Sequence, residues 1–261
     1  MTDWRGRFPF PVGAPSWVLP LTDDNFVGNV TYLSDKVDRV QILCFEKDSV
    51  GELLTPRDLN RLREIGGSTG LGYSVHLPGD LALLDPEDTP AVRTGKLELL
   101  LHIAALTAEL EPDHFVLHLD LPGGARADGG LVDRAEACLT QLVSLWPEAP
   151  GLVYVENTGW DLTQVAGPLE RLGFGVCADF GHLYRGHLPL PAFLDRLGPL
   201  IREVHLHGFD ELGDHLALAR LPPSVQQPLR SLLVQRCPSV VIENFRADWL
   251  QDSLATLASW L

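Results

Sequence analysis

Ionisable side chains stand at the ends of short apolar runs in this sequence, where a buried strand would normally carry no charge. The run FGVCAD (174–179) ends in Asp179, and His182 follows three residues later. A buried charge is costly unless it is paired or bound to a metal. One such pair is explained by a helix cap and a chance histidine, whereas several pairs brought to one place would indicate a ligand cluster.

The same arrangement recurs along the chain. Histidine, glutamate or aspartate stands within the last two residues of most of the other apolar runs, and further ionisable groups follow shortly after. The candidate metal ligands on this pattern are His76, His118, Glu156, Asp179, His182, His205, Asp214, His215 and Glu243. Imidazole and carboxylate together suit zinc, manganese, iron or cobalt without any cysteine. Because so many ligands exceed one tetrahedral zinc, we expect two or three divalent metal ions, with zinc preferred over manganese and iron.

Structural interpretations of several of these residues stay open. Asp179 is also a natural N-cap for a following helix, and Asp214 and His215 are also typical of a surface loop. Glu46, at the end of VQILCFE (40–46), is compatible with acid–base catalysis, a substrate hydrogen bond or an ion pair.

Three glutamates and a pair of histidines at the strand ends have further candidate roles. Glu46, Glu156 and Glu243 are the candidate catalytic groups. His205 and His207 lie two residues apart and therefore share one face of a strand, so both could point inward.

Eight apolar runs, each followed by a helix-like segment, must position these groups. The runs are GAPSWVLP (13–20), VQILCFE (40–46), GYSVHL (72–77), FVLHLD (115–120), LVYVEN (152–157), FGVCAD (174–179), REVHLH (202–207) and SVVIEN (239–244). This alternation predicts an α/β protein with a (β/α)8 TIM barrel, whose active site lies at the carboxyl ends of the strands. A doubly wound parallel sheet is the alternative.

The segments between the runs carry helix signals. Thr55-Pro56 combines a capping residue with proline at the first helical position, and Gly173 is a predicted C-cap. Further helices are predicted at 91–110, 131–146, 161–172 and 248–261.

Composition limits the class of protein. The 261 residues, 45% of them hydrophobic, are expected to form one domain over 1–261. No apolar run is long enough to span a membrane, the first residues have no signal-peptide pattern, and the four cysteines form no motif. We therefore expect a cytoplasmic protein with reduced cysteines. A net charge of −15 disfavours nucleic acid as a partner.

The ordered motifs resemble the xylose isomerase-like barrel superfamily, which includes endonuclease IV-type AP endonucleases and many sugar isomerases and epimerases. The motifs are HLP after the third run, VLH in the fourth, VEN in the fifth, D-x-x-H after the sixth, VHLH in the seventh and a closing glutamate. The segment ENTGW (156–160) is similar to one in the endonuclease.

A narrower resemblance runs from about residue 8 to residue 245. The stretches FPFPVGAPSWVLP, QILCFE, YSVHLPGDL, VLHLD, VCADFGHL, VHLHGF followed by DHLAL, and VIENF are similar to the CbiR family of cobamide-remodelling phosphodiesterases. This resemblance implies hydrolysis of the nucleotide loop of cobamides, the B12-type corrinoids, to a cobinamide-type product. A small-molecule corrinoid would then be the substrate.

The resemblance also implies ligand roles, by analogy with the endonuclease cluster. One metal would bind His76, His118 and Glu156; a second would bind Glu156, Asp179, His205 and Glu243; a third would bind His182 with Asp214 or His215. The endonuclease separates the last aspartate and histidine by one residue, whereas here they are adjacent. Neighbouring side chains in extended backbone point to opposite sides, so only one of the two is expected to ligate.

Three other functions remain as alternatives. A sugar isomerase or epimerase of the same superfamily would use one or two metals, with Glu156 and Glu243 moving a proton. An AP endonuclease is disfavoured by the negative charge. A corrinoid- or metal-binding module without catalytic activity would bind its ligand without turnover.

Overall fold

Eight parallel strands close into a barrel in this computed structural model, which describes residues 2–19, 25–44, 46–123, 128–186, 189–211, 213–236 and 239–261. The strands of the chain are β1 (Val12–Pro15), β2 (Arg39–Leu43), β3 (Gly72–His76), β4 (Phe115–His118), β5 (Val153–Glu156), β6 (Gly175–Asp179), β7 (Ile201–Leu206), β8 (Gly208–Asp210), β9 (Gly213–Leu216) and β10 (Ser239–Ile242). The barrel order is β1-β10-β7-β6-β5-β4-β3-β2, while β8 and β9 pair as a separate antiparallel hairpin. The predicted TIM barrel is confirmed, and the doubly wound alternative is wrong.

The first two strands are shorter than their apolar runs. β1 ends at Pro15 rather than at the predicted residue 20, and β2 ends at Leu43 rather than at residue 46. Beyond Pro15 the chain keeps one ladder-like bond, from the Ser16 amide to the Gln41 carbonyl. Pro20 and Phe45, in the predicted ends of these runs, lie outside the described residues.

Helices lie between successive barrel strands and after the last one. They are α1 (Asn25–Leu33), α2 (Val50–Leu53), α3 (Pro56–Thr69), α4 (Pro90–Thr107), α5 (Leu131–Leu145), α6 (Ala149–Leu152), α7 (Ala166–Leu172), α8 (Phe180–Arg185), α9 (Leu190–Leu197), α10 (Pro223–Arg236) and α11 (Ala247–Trp260). Their apolar faces pack on the barrel, as Leu97, Leu100 and Ile103 of α4 show by being fully buried.

The predicted helix boundaries have local chemical causes. The Thr55 hydroxyl accepts a hydrogen bond from the Asp58 amide at 3.2 Å, which caps α3. Thr89 caps α4 in the same way, and proline follows each threonine at the first helical position. Gly173 ends α7 with a φ of 80°, a left-handed conformation that favours glycine.

The β8–β9 hairpin, which the sequence pattern did not predict, is fastened to α11 by buried hydrogen bonds. The Asn244 side-chain amide donates to the carbonyls of His215 and Leu216 at 2.9 and 2.7 Å. The Ser253 hydroxyl of α11 donates to Asn244 Oδ1 at 2.6 Å and accepts from the Leu218 amide at 2.7 Å. The hairpin is therefore held through its backbone, and Phe209 of β8 also packs against the hydrophobic core.

Two other expectations concern membranes and thiols. Within the described ranges, no helix combines the length and apolar character needed to cross a bilayer. Cys44, Cys138 and Cys177 are buried free thiols, as expected for reduced core cysteines. Cys237 lies outside the described residues.

Replacing Ser253 by alanine tests the hairpin attachment. The change leaves the Leu218 amide and Asn244 Oδ1 without this partner in a buried site, so we expect a loss of about 1–3 kcal/mol in the free energy of unfolding. Urea denaturation measures it. The control is S259A, the same change at an exposed site of α11, where an effect within about 0.5 kcal/mol is expected. Equal effects of the two substitutions would contradict the role of Ser253.

Candidate metal centre

Glu156 lies at the centre of a cluster of ionisable groups at the carboxyl end of the barrel. It is the last residue of β5 and is only 2% exposed. Its Oε2 lies 3.1 Å from His76 Nε2 and 3.0 Å from His118 Nε2. Its Oε1 lies 3.1 Å from His205 Nδ1. The two carboxylate oxygens therefore face different histidines, each contributed by a different strand.

A second group shares Glu156 and extends across the barrel mouth. Possible ligand atoms of Glu156, Asp179, His205 and Glu243 all lie within 4.8 Å of one another, and all four side chains are buried. The strand register causes this convergence, because Asp179 of β6 pairs directly with His205 of β7. The predicted residues of the first two metal sites are thus brought together.

A third group consists of His182, His207 and His215, whose ring nitrogens also lie within 4.8 Å of one another. The rings of His207 and His215 stack with centroids 4.2 Å apart. His207 was not among the predicted ligands. Its two-residue spacing from His205 on one strand face was the signal for it.

Of the two adjacent candidates on the hairpin, His215 and not Asp214 points to this group. Asp214 forms an ion pair with Arg185, and its other oxygen lies 4.0 Å from His215 Nε2. It belongs to no group of possible ligands among the residues that the structure describes. His215 adopts a φ of 54°, a left-handed conformation that is uncommon outside glycine and often marks functional sites. The expected divergence of two side chains in extended backbone is not seen, because His215 is left-handed and its Nε2 lies 4.0 Å from Asp214 Oδ1.

Glu46 lies outside the cluster. β2 ends at Leu43, and Glu46 then precedes a short 3-10 helix with its side chain exposed. Leu43, and not Glu46, lines the cavity above the cluster within the described part of the chain. A catalytic role of Glu46 stays a prediction.

Asp179 caps a helix and also faces the cluster. Its Oδ1 caps α8 by accepting from the His182 amide at 2.6 Å, whereas its Oδ2 points to the His207 ring, 3.3 Å from Nε2. Asn157 fixes the backbone of Asp179 from both sides. Its side-chain amide donates to the Asp179 carbonyl at 2.7 Å, and its Oδ1 accepts from the Asp179 amide at 2.9 Å.

The carboxylates of the cluster are stabilised in their ionised form. Burial by itself raises the pKa of Glu243, but His205 and His215 outweigh it and lower that pKa to about 2. The same competition between burial and neighbouring histidines lowers the pKa values of Glu156 and Asp179. These groups are therefore anionic at neutral pH.

The histidines respond in the opposite sense. Burial lowers the pKa of His118, but Glu156 and Asp120 outweigh burial and raise that pKa to about 10. Asp179 has the same effect on His207, whose pKa rises to about 9. Protons on these rings balance the buried carboxylates, so a cation bound in their place would have to displace protons.

Four buried atoms give a direct test of whether metal ions fit. Asp179 Oδ2, His182 Nδ1, His207 Nε2 and Glu243 Oε2 form no regular hydrogen bond among the described residues, and their contacts with one another and with His205 are ion pairs of 3.3–3.9 Å. Leaving buried polar atoms unsatisfied is costly, and all four belong to the second and third groups. Oxygen and imidazole nitrogen donors at this spacing match divalent cations such as zinc. The donor set therefore fits metal ions.

Two glycines make room for the histidine rings. A Cβ added to Gly181 would overlap the His207 ring, and one added to Gly79 would lie 2.9 Å from His118 Nδ1. Above the rings lies a cavity of about 230 Å³, lined by Leu43, His76, Gly79, His118, Glu156, His182, His215, Glu243 and Phe245. The cavity opens directly onto all three groups of possible ligands.

No family model matches the sequence, and no curated protein matches it. Solved structures are similar in fold. A D-tagatose 3-epimerase-like protein superposes with a TM-score of 0.74 at 18% identity, covering 96% of this chain and 97% of the other. D-psicose 3-epimerase from Clostridium cellulolyticum gives 0.70 at 12% identity, covering 96% and 98%. Endonuclease IV from Thermus thermophilus gives 0.66 at 17% identity, covering 96% and 98%.

Sugar epimerases predominate among these neighbours, and a probable dehydratase shares the fold as well. Sequence identities this low show that the fold is shared, but they do not identify the reaction. The sequence resemblance is thereby confirmed at the level of the barrel, not at the level of the phosphodiesterase family. The chain is a closed (β/α)8 barrel whose fold is similar to those of a sugar epimerase-like protein, a xylose isomerase domain protein and endonuclease IV.

Proposed function

We propose that this chain is a metal-dependent enzyme that hydrolyses a phosphodiester at the Glu156 cluster. One observation carries the proposal: Oε2 of Glu156 faces His76 and His118, while Oε1 faces His205. A carboxylate with separate nitrogen donors on each oxygen is suited to bridging two metal ions. Pairs of metal ions about 4 Å apart serve in-line displacement at phosphorus.

The residues that would hold each ion follow from the three groups. His76, His118 and Glu156 would hold one ion; Glu156, Asp179, His205 and Glu243 a second; His182, His207 and His215 a third. Divalent ions bound there would supply Lewis-acid stabilisation to the phosphoryl oxygens and lower the pKa of water. The protein itself fixes the ligands through strand ends, and the Asn157 and Asn244 side chains hold the loops that carry them.

The sequence resemblance supports a specific substrate, the nucleotide loop of a cobamide. Hydrolysis would add water across one P–O bond and release a phosphomonoester and an alcohol. The cavity of about 230 Å³ is smaller than the roughly 300–1,000 Å³ usual for sites that enclose a drug-sized ligand. It accommodates the reacting phosphodiester, and a corrin ring would lie outside it.

A sugar epimerase or isomerase is the second candidate, and the structural neighbours support it better than they support the phosphodiesterase. Glu156, Asp179, His205 and Glu243 by themselves match the ligand count of a single cation. In this reaction Glu156 and Glu243 would remove and return a proton next to a carbonyl group. The epimerase reaction gives no role to His76 and His118, which face Oε2 of Glu156.

Metal stoichiometry distinguishes the two candidates. For the phosphodiesterase we expect at least two zinc ions per chain, measured by elemental analysis after dialysis. His118→Gln should remove one ion and Glu156→Gln should release both, because only Glu156 belongs to both groups. His102→Gln, at an outward-facing position of α4 that belongs to none of the groups, is the control and should keep all ions. A wild-type chain that binds only one ion, and keeps that ion in H118Q, would favour the epimerase.

The third group gives a separate prediction. His207→Gln should lower the zinc content by one ion per chain, whereas Asp214→Asn should leave it unchanged, because Asp214 pairs with Arg185 and belongs to no group of possible ligands among the described residues. Thermal melts of both variants show whether each is folded. Loss of zinc in D214N with retention in H207Q would restore Asp214 as the ligand.

Product analysis tests the reaction itself. The zinc-loaded protein is incubated with adenosylcobalamin, and in parallel with D-tagatose and D-fructose, and products are identified by mass spectrometry and chromatography. We expect a cobinamide-type product, with oxygen from isotope-labelled water in one product. Glu156→Gln should slow its formation by at least about 100-fold, as the loss of an electrostatic catalytic group does. Epimerised sugar with intact cobalamin would establish the second candidate instead.

A further inference from the structure

A buried carboxylate that belongs to none of the three groups lies beneath the cluster. Glu203 is on β7, two residues before His205, so strand periodicity directs both side chains into the barrel. Its side chain is fully buried. Burying an ionised carboxylate this deeply needs compensating partners, and those partners define what it does.

The His205 ring spans the distance between Glu203 and the cluster. Its Nε2 lies 3.2 Å from Glu203 Oε1, while its Nδ1 lies 3.1 Å from Glu156 Oε1 and 3.5 Å from Glu243 Oε2. A neutral imidazole carries one N–H, and an ionised carboxylate can only accept. A proton on Nε2 satisfies Glu203 and leaves the Nδ1 lone pair directed at the cluster.

Glu203 is itself held from several elements. The Gln41 side chain of β2 donates to Oε1 at 2.9 Å, and the Ser239 hydroxyl of β10 donates to Oε2 at 3.2 Å. His114, immediately before β4, brings Nε2 within 2.7 Å of Oε2, and its ring stacks on Tyr154 with centroids 4.5 Å apart. The carboxylate therefore has little freedom to turn away from His205.

We propose that Glu203 is a positioning residue that holds His205 in the tautomer offering Nδ1 to a metal ion. A carboxylate behind a metal-binding histidine fixes the ring orientation and raises the basicity of the ligand, and losing it commonly weakens metal binding about 10–100-fold. The inference rests on the metal-binding part of the proposed function and is independent of the reaction class.

A purely structural role makes a different prediction. If Glu203 served only as the buried partner of His114, neutralising it would destabilise the barrel without singling out one metal site. The chain supplies an internal comparison, because His205 belongs to the second group and not to the third, made of His182, His207 and His215.

The test is Glu203→Gln, which keeps the side-chain volume and removes the charge. Zinc affinity is measured by competition with a chromophoric chelator. We expect binding to the group containing His205 to weaken about 10–100-fold, with the third group unchanged. In the zinc-loaded protein, nitrogen NMR of the His205 ring should show a protonated Nε2 and a metal-bound Nδ1, and part of the E203Q population should lose this pattern, because an amide can donate to Nε2 as well as accept from it. Asp88→Asn, which removes the carboxylate that pairs with Lys96, is the control and should change neither readout.

Several outcomes would overturn the proposal. One is that E203Q has the zinc affinity and the His205 tautomer of the wild-type protein. Another is that zinc binding to the second group and zinc binding to the third group weaken equally. If E203Q does not fold, Glu203→Asp carries the test. It keeps a charge near His114 while withdrawing the carboxylate from His205. The same selective loss of zinc binding is expected, and an unselective loss contradicts the proposal. A wild-type chain that binds no zinc overturns this proposal, whereas zinc binding without phosphodiester hydrolysis overturns only the proposed reaction.

Discussion

Buried carboxylates and imidazoles compensate one another at the barrel mouth, and the surrounding structure is arranged to keep them together. Glu156 is buried with three histidine rings that approach its two oxygens from three other strands. None of these groups would be stable alone in such a site. The arrangement exists only when the barrel closes and brings the carboxyl ends of its strands to one mouth, so the fold and the cluster support each other.

Two Glu-Asn pairs serve this arrangement in the same way. Glu156 and Glu243 are the second-last residues of their runs and point into the cluster, and the asparagine after each one holds a neighbouring ligand loop by its backbone. Asn157 fixes Asp179, and Asn244 fixes the hairpin residue His215. Because these bonds go to backbone groups, they set the position of the ligand without competing for its side chain.

The number of cations, rather than the fold, separates the two candidate functions. The barrel is shared with sugar epimerases and with endonuclease IV at identities that establish architecture alone. The group of Glu156, Asp179, His205 and Glu243 suits a single ion. Further ions would be held by His76 and His118, at the other oxygen of Glu156, and by the rings of His182, His207 and His215. The histidine content at the mouth is therefore the feature on which the two candidate functions differ.

The barrel and most of the cluster could be predicted from the amino-acid sequence, because apolar periodicity, Thr-Pro helix starts and polar strand ends are local signals. The same signals could not show which of Asp214 and His215 faces inward, nor the roles of His207 and Glu203. Those depend on the β8–β9 hairpin, its contacts with Arg185 and Asn244, and the side chains that neighbouring strands bring around one carboxylate. Such contacts join residues far apart in the chain, so they are fixed only when the barrel has closed.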